Sequence, residues 1–280
     1  MLNASSSGLN QLRERIAVLE QKFSTQSSSK EEIISLGLPD VDQALPEGGL
    51  PARGLHELEG VSPYETTPTS SATSFAAWLL RCCWLNRRQS RPVLWIRRRG
   101  GRFDSRPYAP GLLPFFDPSR LLLIEPDSEE RVLWSMEEGL RSGALAAVLG
   151  EVKGADLTAT RRLQLAAEAS ATPALLLRLP GALRTSAALT RWQISSAPSR
   201  STPGLKDIAG PRLRLSLRRA RGRIEDHERS WIMEWRHEKG DFAVVPQTVD
   251  RPRGQDRPQL ARTSWSDSGQ RFRRAASGLR

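Results

Sequence analysis

A chain of 280 residues is long enough for one substantial core with added elements. Apolar residues make up 38% and charged residues 26%, a globular balance that leaves room for unfolded ends. No apolar run approaches the ~18 residues of a bilayer span, residues 1–30 lack an apolar signal core, and the adjacent Cys82 and Cys83 cannot build a disulfide framework, which argues against membrane, secreted and disulfide-rich classes and for the cytoplasm.

The net charge of +11 is unevenly spread. Residues 31–60 carry seven acids and one base, and 61–110 carry nine bases and two acids. Residues 111–160 return to nine acids and four bases, and 251–280 end with eight bases and two acids. Basic blocks suit a nucleic-acid or acidic-protein partner, but 37 of the 42 bases are Arg, which genomic base composition alone can favour.

In residues 8–24, Leu9, Leu12, Ile16, Leu19 and Phe23 form one narrow helical seam, followed by the polar linker Ser24 to Ser29. So short a helix is marginal in water, so the seam must dock on its own domain, on a copy of itself or on a partner. From Ile33 to Val245 strands and helices alternate. Strands are expected at Gly54–Glu59, Pro92–Arg97, Leu121–Glu125, Leu145–Val152 and Pro173–Leu179. Helices are expected at about Ser71–Gln89, near Glu129–Gly139 and at Thr158–Ala169. Such repeated units imply a mostly parallel sheet flanked by helices. After Pro180, Arg191–Ser196, Pro211–Arg219 and Ser230–His237 read as an antiparallel extension. The expected organisation is an N-terminal helix and linker (1–30), an α/β core (31–246) and a disordered basic tail (247–280).

An α/β sheet binds ligands at the carboxyl ends of its strands. A phosphate loop after the first core strand would need a second glycine and a lysine. The run begins at Gly60, but Glu65 stands where that glycine belongs and Thr66 where the lysine belongs, with Thr67 in the final position. There is no Lys between Lys30 and Lys153 and no Gly between Gly60 and Gly100, so no shifted register restores the loop. The strand ending in Arg97-Arg98-Arg99 puts cations where a hydrolytic general base would sit. Glu151 could mimic a magnesium-holding acid but reads as a solvated strand-end group. His56-Glu57-Leu58-Glu59-Gly60 lacks the second His of a zinc-protease helix, and no serine-hydrolase elbow occurs. Trp78 and Trp84 read as packing residues. No catalytic residue, cofactor or metal is expected.

Two arginine clusters are candidate contacts to DNA or to a partner. Arg97, Arg98, Arg99 and Arg102 follow what reads as an edge strand. Arg214 and Arg218, with Arg212, Arg219, Arg221 and Arg223, partly alternate along a strand of the extension. The plain alternative is that they are solvated or pair with the acidic blocks.

Ser35-Leu36-Gly37, Val41-Asp42 and Gly48-Gly49-Leu50-Pro51, leading through Gly54 to Gly60, resemble the opening of a RecA-type core. Tyr108-Ala109-Pro110-Gly111-Leu112 and the strand at 145–149 follow in compatible order. Gly54-Leu55-His56-Glu57, Val93-Leu94-Trp95-Ile96 and Glu138-Gly139-Leu140-Arg141-Ser142-Gly143 are similar to the ImuA family, RecA-like accessory proteins of bacterial damage-induced mutagenesis. So are the runs 157–168, Thr190-Arg191-Trp192-Gln193-Ile194 and 213–222. The resemblance covers about residues 33–240. It implies a RecA-like sheet without a working nucleotide loop and a non-catalytic role in SOS-induced translesion DNA synthesis. The implied partners are the ImuB polymerase-like adaptor, an error-prone replicative-type DNA polymerase and RecA, with nucleoid association during DNA damage. Some relatives carry a SulA-like label, which makes inhibition of cell division through FtsZ a second candidate. An active ATP-dependent recombinase is the third, disfavoured by the missing lysine.

Overall fold

The computed structural model describes residues 32–61, 70–87, 90–100, 107–178, 185–199, 210–222 and 229–246. Two short strands, β1 (Ile33–Ile34) and β2 (Leu50–Pro51), pair antiparallel around the turn α1 (Pro39–Asp42). Asp42 is buried here, accepting hydrogen bonds from the Leu36 amide at 2.9 Å and the Ser35 hydroxyl at 2.8 Å. Gly48 has φ +75°, and a Cβ on Gly49 would lie 2.5 Å from Ile33 Cγ2 and 2.8 Å from the Ile34 carbonyl. The glycine pair is therefore needed where β2 passes against β1. These motif residues are architectural.

The core elements follow in order. β3 (Leu55–Gly60) leads to α2 (Ser70–Asn86), β4 (Val93–Ile96), the turn α3 (Ala109–Leu112) and β5 (Leu121–Ile124). Then come α4 (Glu129–Arg141), β6 (Ala147–Val152), α5 (Leu157–Ser170), β7 (Ala174–Arg178) and β8 (Thr190–Ala197). β9 (Arg212–Ala220), β10 (Arg229–Arg236) and β11 (Asp241–Val245) complete the chain of described elements. The sheet order is β11-β10-β9-β8-β3-β7-β6-β4-β5.

The expected fold class, a mostly parallel sheet flanked by helices with an antiparallel C-terminal extension, is the one observed. Three details differ. β8 belongs to both parts, running parallel to β3 and antiparallel to β9. β11, where no strand was expected, pairs with β10. β4 lies one strand inside the edge, because β5 covers its outer side.

Helix ends follow local chemistry. Ser128 caps α4 through the Arg131 amide at 3.3 Å, and Asp156 caps α5 through the Ala159 amide at 2.7 Å. Glu129 and Glu130 open α4 and Arg141 closes it, matching the helix dipole. β6 and β7 are apolar along consecutive residues because helices cover both of their faces. One core layer packs Phe75, Trp78 and Leu79 of α2 against Leu58, Leu177, Trp192 and Ile194. The other packs Val132, Met136 and Leu140 of α4 and Leu163 of α5 against Leu55, Leu94, Val148 and Leu176.

Candidate functional site at the strand ends

Parallel strands β5, β4 and β6 are in a register that aligns Ile124, Ile96 and Gly150. The next residues, Glu125, Arg97 and Glu151, therefore make one row at the carboxyl edge, in which the strand carrying the basic residue lies between the two carrying acids. The row is ordered by backbone as well: the Arg97 amide donates to the Ile124 carbonyl at 3.0 Å, and the Arg99 amide to the Pro126 carbonyl at 2.7 Å. Arg97 is only 7% exposed. One pleat below on the same face, the Trp95 indole N–H donates to Glu151 Oε1 at 2.7 Å.

Glu151 is thus not the solvated acid read from the sequence. It is half-buried, and burial pushes its carboxyl above the usual range, opposed by the Trp95 hydrogen bond and the nearby Arg97 charge. A carboxylate held this way has one oxygen committed to an indole and a cation as its neighbour, which disfavours metal binding. Among the described residues no cluster of three metal-ligating side chains occurs. Trp95 had no assigned role in the sequence reading; its contact depends on strand register, which no local pattern reveals.

Gly60 ends β3 opposite Ile194, and the Val61 amide donates to the Ile194 carbonyl at 2.7 Å. The chain continues along β8 for one residue past the strand. Glu65, Thr66 and Thr67 lie outside the described residues. So do Arg102, Arg223 and the seam Leu9, Leu12, Ile16, Leu19 and Phe23.

The arginine candidates separate. Arg97 is buried, whereas Arg98 and Arg99 are exposed, with Arg98 Nε donating to the Asp127 carbonyl at 3.2 Å. On β9, Arg212 is buried against Glu234, while Arg214 and Arg218 are exposed. Arg219 and Arg221 donate to the backbone carbonyls of Ser186 and Ala187.

On the opposite sheet face, sequence reading missed a charged cluster. Glu57, 2% exposed, accepts from Arg178 at 3.2 Å and from Arg191 at 2.8 Å. Its neighbour His56 faces the α2 side as part of a strand, so the zinc-protease comparison fails on secondary structure too. The Trp192 indole donates to Thr190 Oγ1 at 2.8 Å, and that oxygen lies 2.9 Å from His56 Nδ1. His56 Nε2 lies 2.9 Å from the Pro51 carbonyl, which can only accept. The chain of donors assigns the Nε2–H tautomer to a neutral ring. Burial lowers the imidazole pKa to about 4, partly offset by the Pro51 bond.

The whole-chain comparisons give two kinds of likeness. The chain is 33% identical over 232 residues to the protein ImuA of Caulobacter vibrioides, in two strains, covering 78% of this chain and 91% of that protein. No family model matches. Among solved structures, the RadB recombinase is similar with a TM-score of 0.49 and 16% identity, covering 76% of this chain and 100% of that one. A KaiC-like protein from the hyperthermophilic archaeon Pyrococcus horikoshii gives a TM-score of 0.48 and 13% identity over 76% of this chain and 99% of its own.

Proposed function

Since the chain belongs to the ImuA family, we propose that it is a non-catalytic RecA-like accessory of damage-induced mutagenesis, supporting error-prone translesion synthesis through protein contacts. The observation that carries the non-catalytic part is Arg97 between Glu125 and Glu151, at strand ends where nucleotide chemistry would need a free base and a metal-holding acid. Trp95 occupies Glu151, and Glu65 and Thr66 replace the second glycine and the lysine of a phosphate loop. The family resemblance supports an ImuB-type adaptor, an error-prone replicative-type polymerase and RecA as partners, in the cytoplasm at the nucleoid. No described helix is long and apolar enough to cross a membrane.

Removal of the protein from cells is expected to lower damage-induced mutation frequency without changing cell length. Intact induced mutagenesis, together with filamentation on overproduction, would assign the protein to septum inhibition instead. The purified chain is expected to show no ATP turnover above a no-protein blank. DNA-stimulated turnover abolished by Thr66→Ala or Thr67→Ala would overturn the non-catalytic reading.

A further inference from the structure

The described residues begin at Glu32, whose place is fixed by two contacts. Glu32 is ion-paired to Arg87 at 2.8 Å, and the Arg87 guanidinium also donates to the carbonyl of Ala171, the residue that ends α5. The preceding segment therefore joins the core beside the C-terminal end of α5. Residues 8–24, outside the described residues, carry the apolar seam, and a helix so short is not stable alone in water.

Ser24 to Glu31 are eight residues and span up to ~27 Å when extended. Leu9–Phe23 as a helix and α5 itself (Leu157–Ser170) are each about 21 Å long. The linker thus reaches any point along the outer side of α5. A flexible tether of this length holds the segment at an effective concentration on the order of millimolar, well above that of a second copy in dilute solution.

α4 and α5 return side by side, because each follows a strand of the parallel part of the sheet. The buried Glu137 of α4 joins them, accepting from Arg141 and from Arg162 of α5. Trp134 stands three residues before Glu137 and Leu165 three residues after Arg162, so the two flank this bridge diagonally. They are 59% and 55% exposed. A seam with alternating three- and four-residue spacing fits the groove between two such helices.

We propose that residues 8–24 dock on the outer face of α4 and α5 of their own chain, setting Leu12, Ile16 and Leu19 against Trp134 and Leu165. The tether selects the occupant, and the exit beside Ala171 selects the face. This inference stands independently of the accessory role.

Amide hydrogen exchange of residues 9–23 in the full chain tests it, repeated over a wide concentration series. The wild type is expected to show slowed exchange that does not change with concentration. Trp134→Asp with Leu165→Asp should speed exchange of this segment by roughly tenfold or more, with circular dichroism and urea unfolding confirming an intact core. Leu113→Asp, at a leucine that is 63% exposed beside α3, should leave the segment protected. Unprotected amides in the wild type, or protection that survives the double-aspartate change or is lost with Leu113→Asp, overturn the proposal. Protection that rises with concentration overturns it in favour of a second copy.

Discussion

The indole of Trp78 meets the ring of Phe242 edge-on, with centroids 5.6 Å apart and planes at 90°. The contact fastens α2, which follows the first core strand, to β11, the last strand of the sheet. Further rings extend the chain of contacts on both sides, from Phe242 to Trp235 and on from Trp235 to Phe115, at 5.0 Å each, and from Trp78 to Phe75 at 5.6 Å. The C-terminal hairpin is therefore part of the core. Trp78→Ala is expected to cost about 3–5 kcal/mol in urea unfolding, as is usual for a fully buried aromatic. A cycle with Phe242→Ala should show coupling of about 0.5–1.5 kcal/mol, and strict additivity would mean that the two rings act separately.

The buried neutral imidazole of His56 predicts an acid-side loss of stability. Below about pH 6.5 the unfolded chain binds a proton that the folded chain refuses until about pH 4. Stability therefore falls as pH drops through that window, by on the order of 3 kcal/mol. Wild type and His56→Gln, compared by urea midpoint from pH 7.5 to 4.5, should converge on acidification. A gap that does not change with pH would show that the ring titrates normally.

Glu57 holds two guanidiniums in a site where all three side chains are largely buried. Glu57→Ala should destabilise by about 3–5 kcal/mol, because it leaves two cations without their carboxylate. Replacing Glu57, Arg178 and Arg191 together with Leu, Met and Met should recover most of that loss. If the triple variant is as unstable as the single one, packing rather than charge explains the site.

Cys82 and Cys83 are free and buried on α2, and burial pushes the Cys82 thiol up to about 12 and Cys83 higher still. Neither thiol should react with Ellman's reagent at pH 8 while the chain is folded, and both should react in denaturant. Fast labelling of the native protein would contradict the packing of α2.

If the exposed Arg214 and Arg218 reach nucleic-acid phosphates, binding of a single strand should weaken steeply with salt. Arg214→Glu with Arg218→Glu would then flatten the log–log slope by about 1.4, near −0.7 per contact. An unchanged slope leaves this face for protein contacts.

The alternation of strands and helices was legible in the sequence because helical and strand periods differ and because buried parallel strands read as unbroken apolar runs, as at Ala146–Leu149 and Leu175–Leu177. The lack of a lysine between Lys30 and Lys153 is likewise visible without coordinates, while Glu65, Thr66 and Thr67 lie outside the described residues. β11 could have been found from Phe242-Ala243-Val244-Val245 between Gly240 and Pro246, but so short an apolar run does not declare its partner. The row Glu125–Arg97–Glu151 and the clamp of Arg178 and Arg191 on Glu57 had no local signature. Period-2 alternation says which residues of a strand share a face, while neighbourhood and register across a parallel sheet are settled by crossovers and by how the helices pack. The charges of Arg97 and Glu57 belonged to the sequence from the start; tertiary structure alone decided that both are buried and that Glu57 holds two guanidiniums.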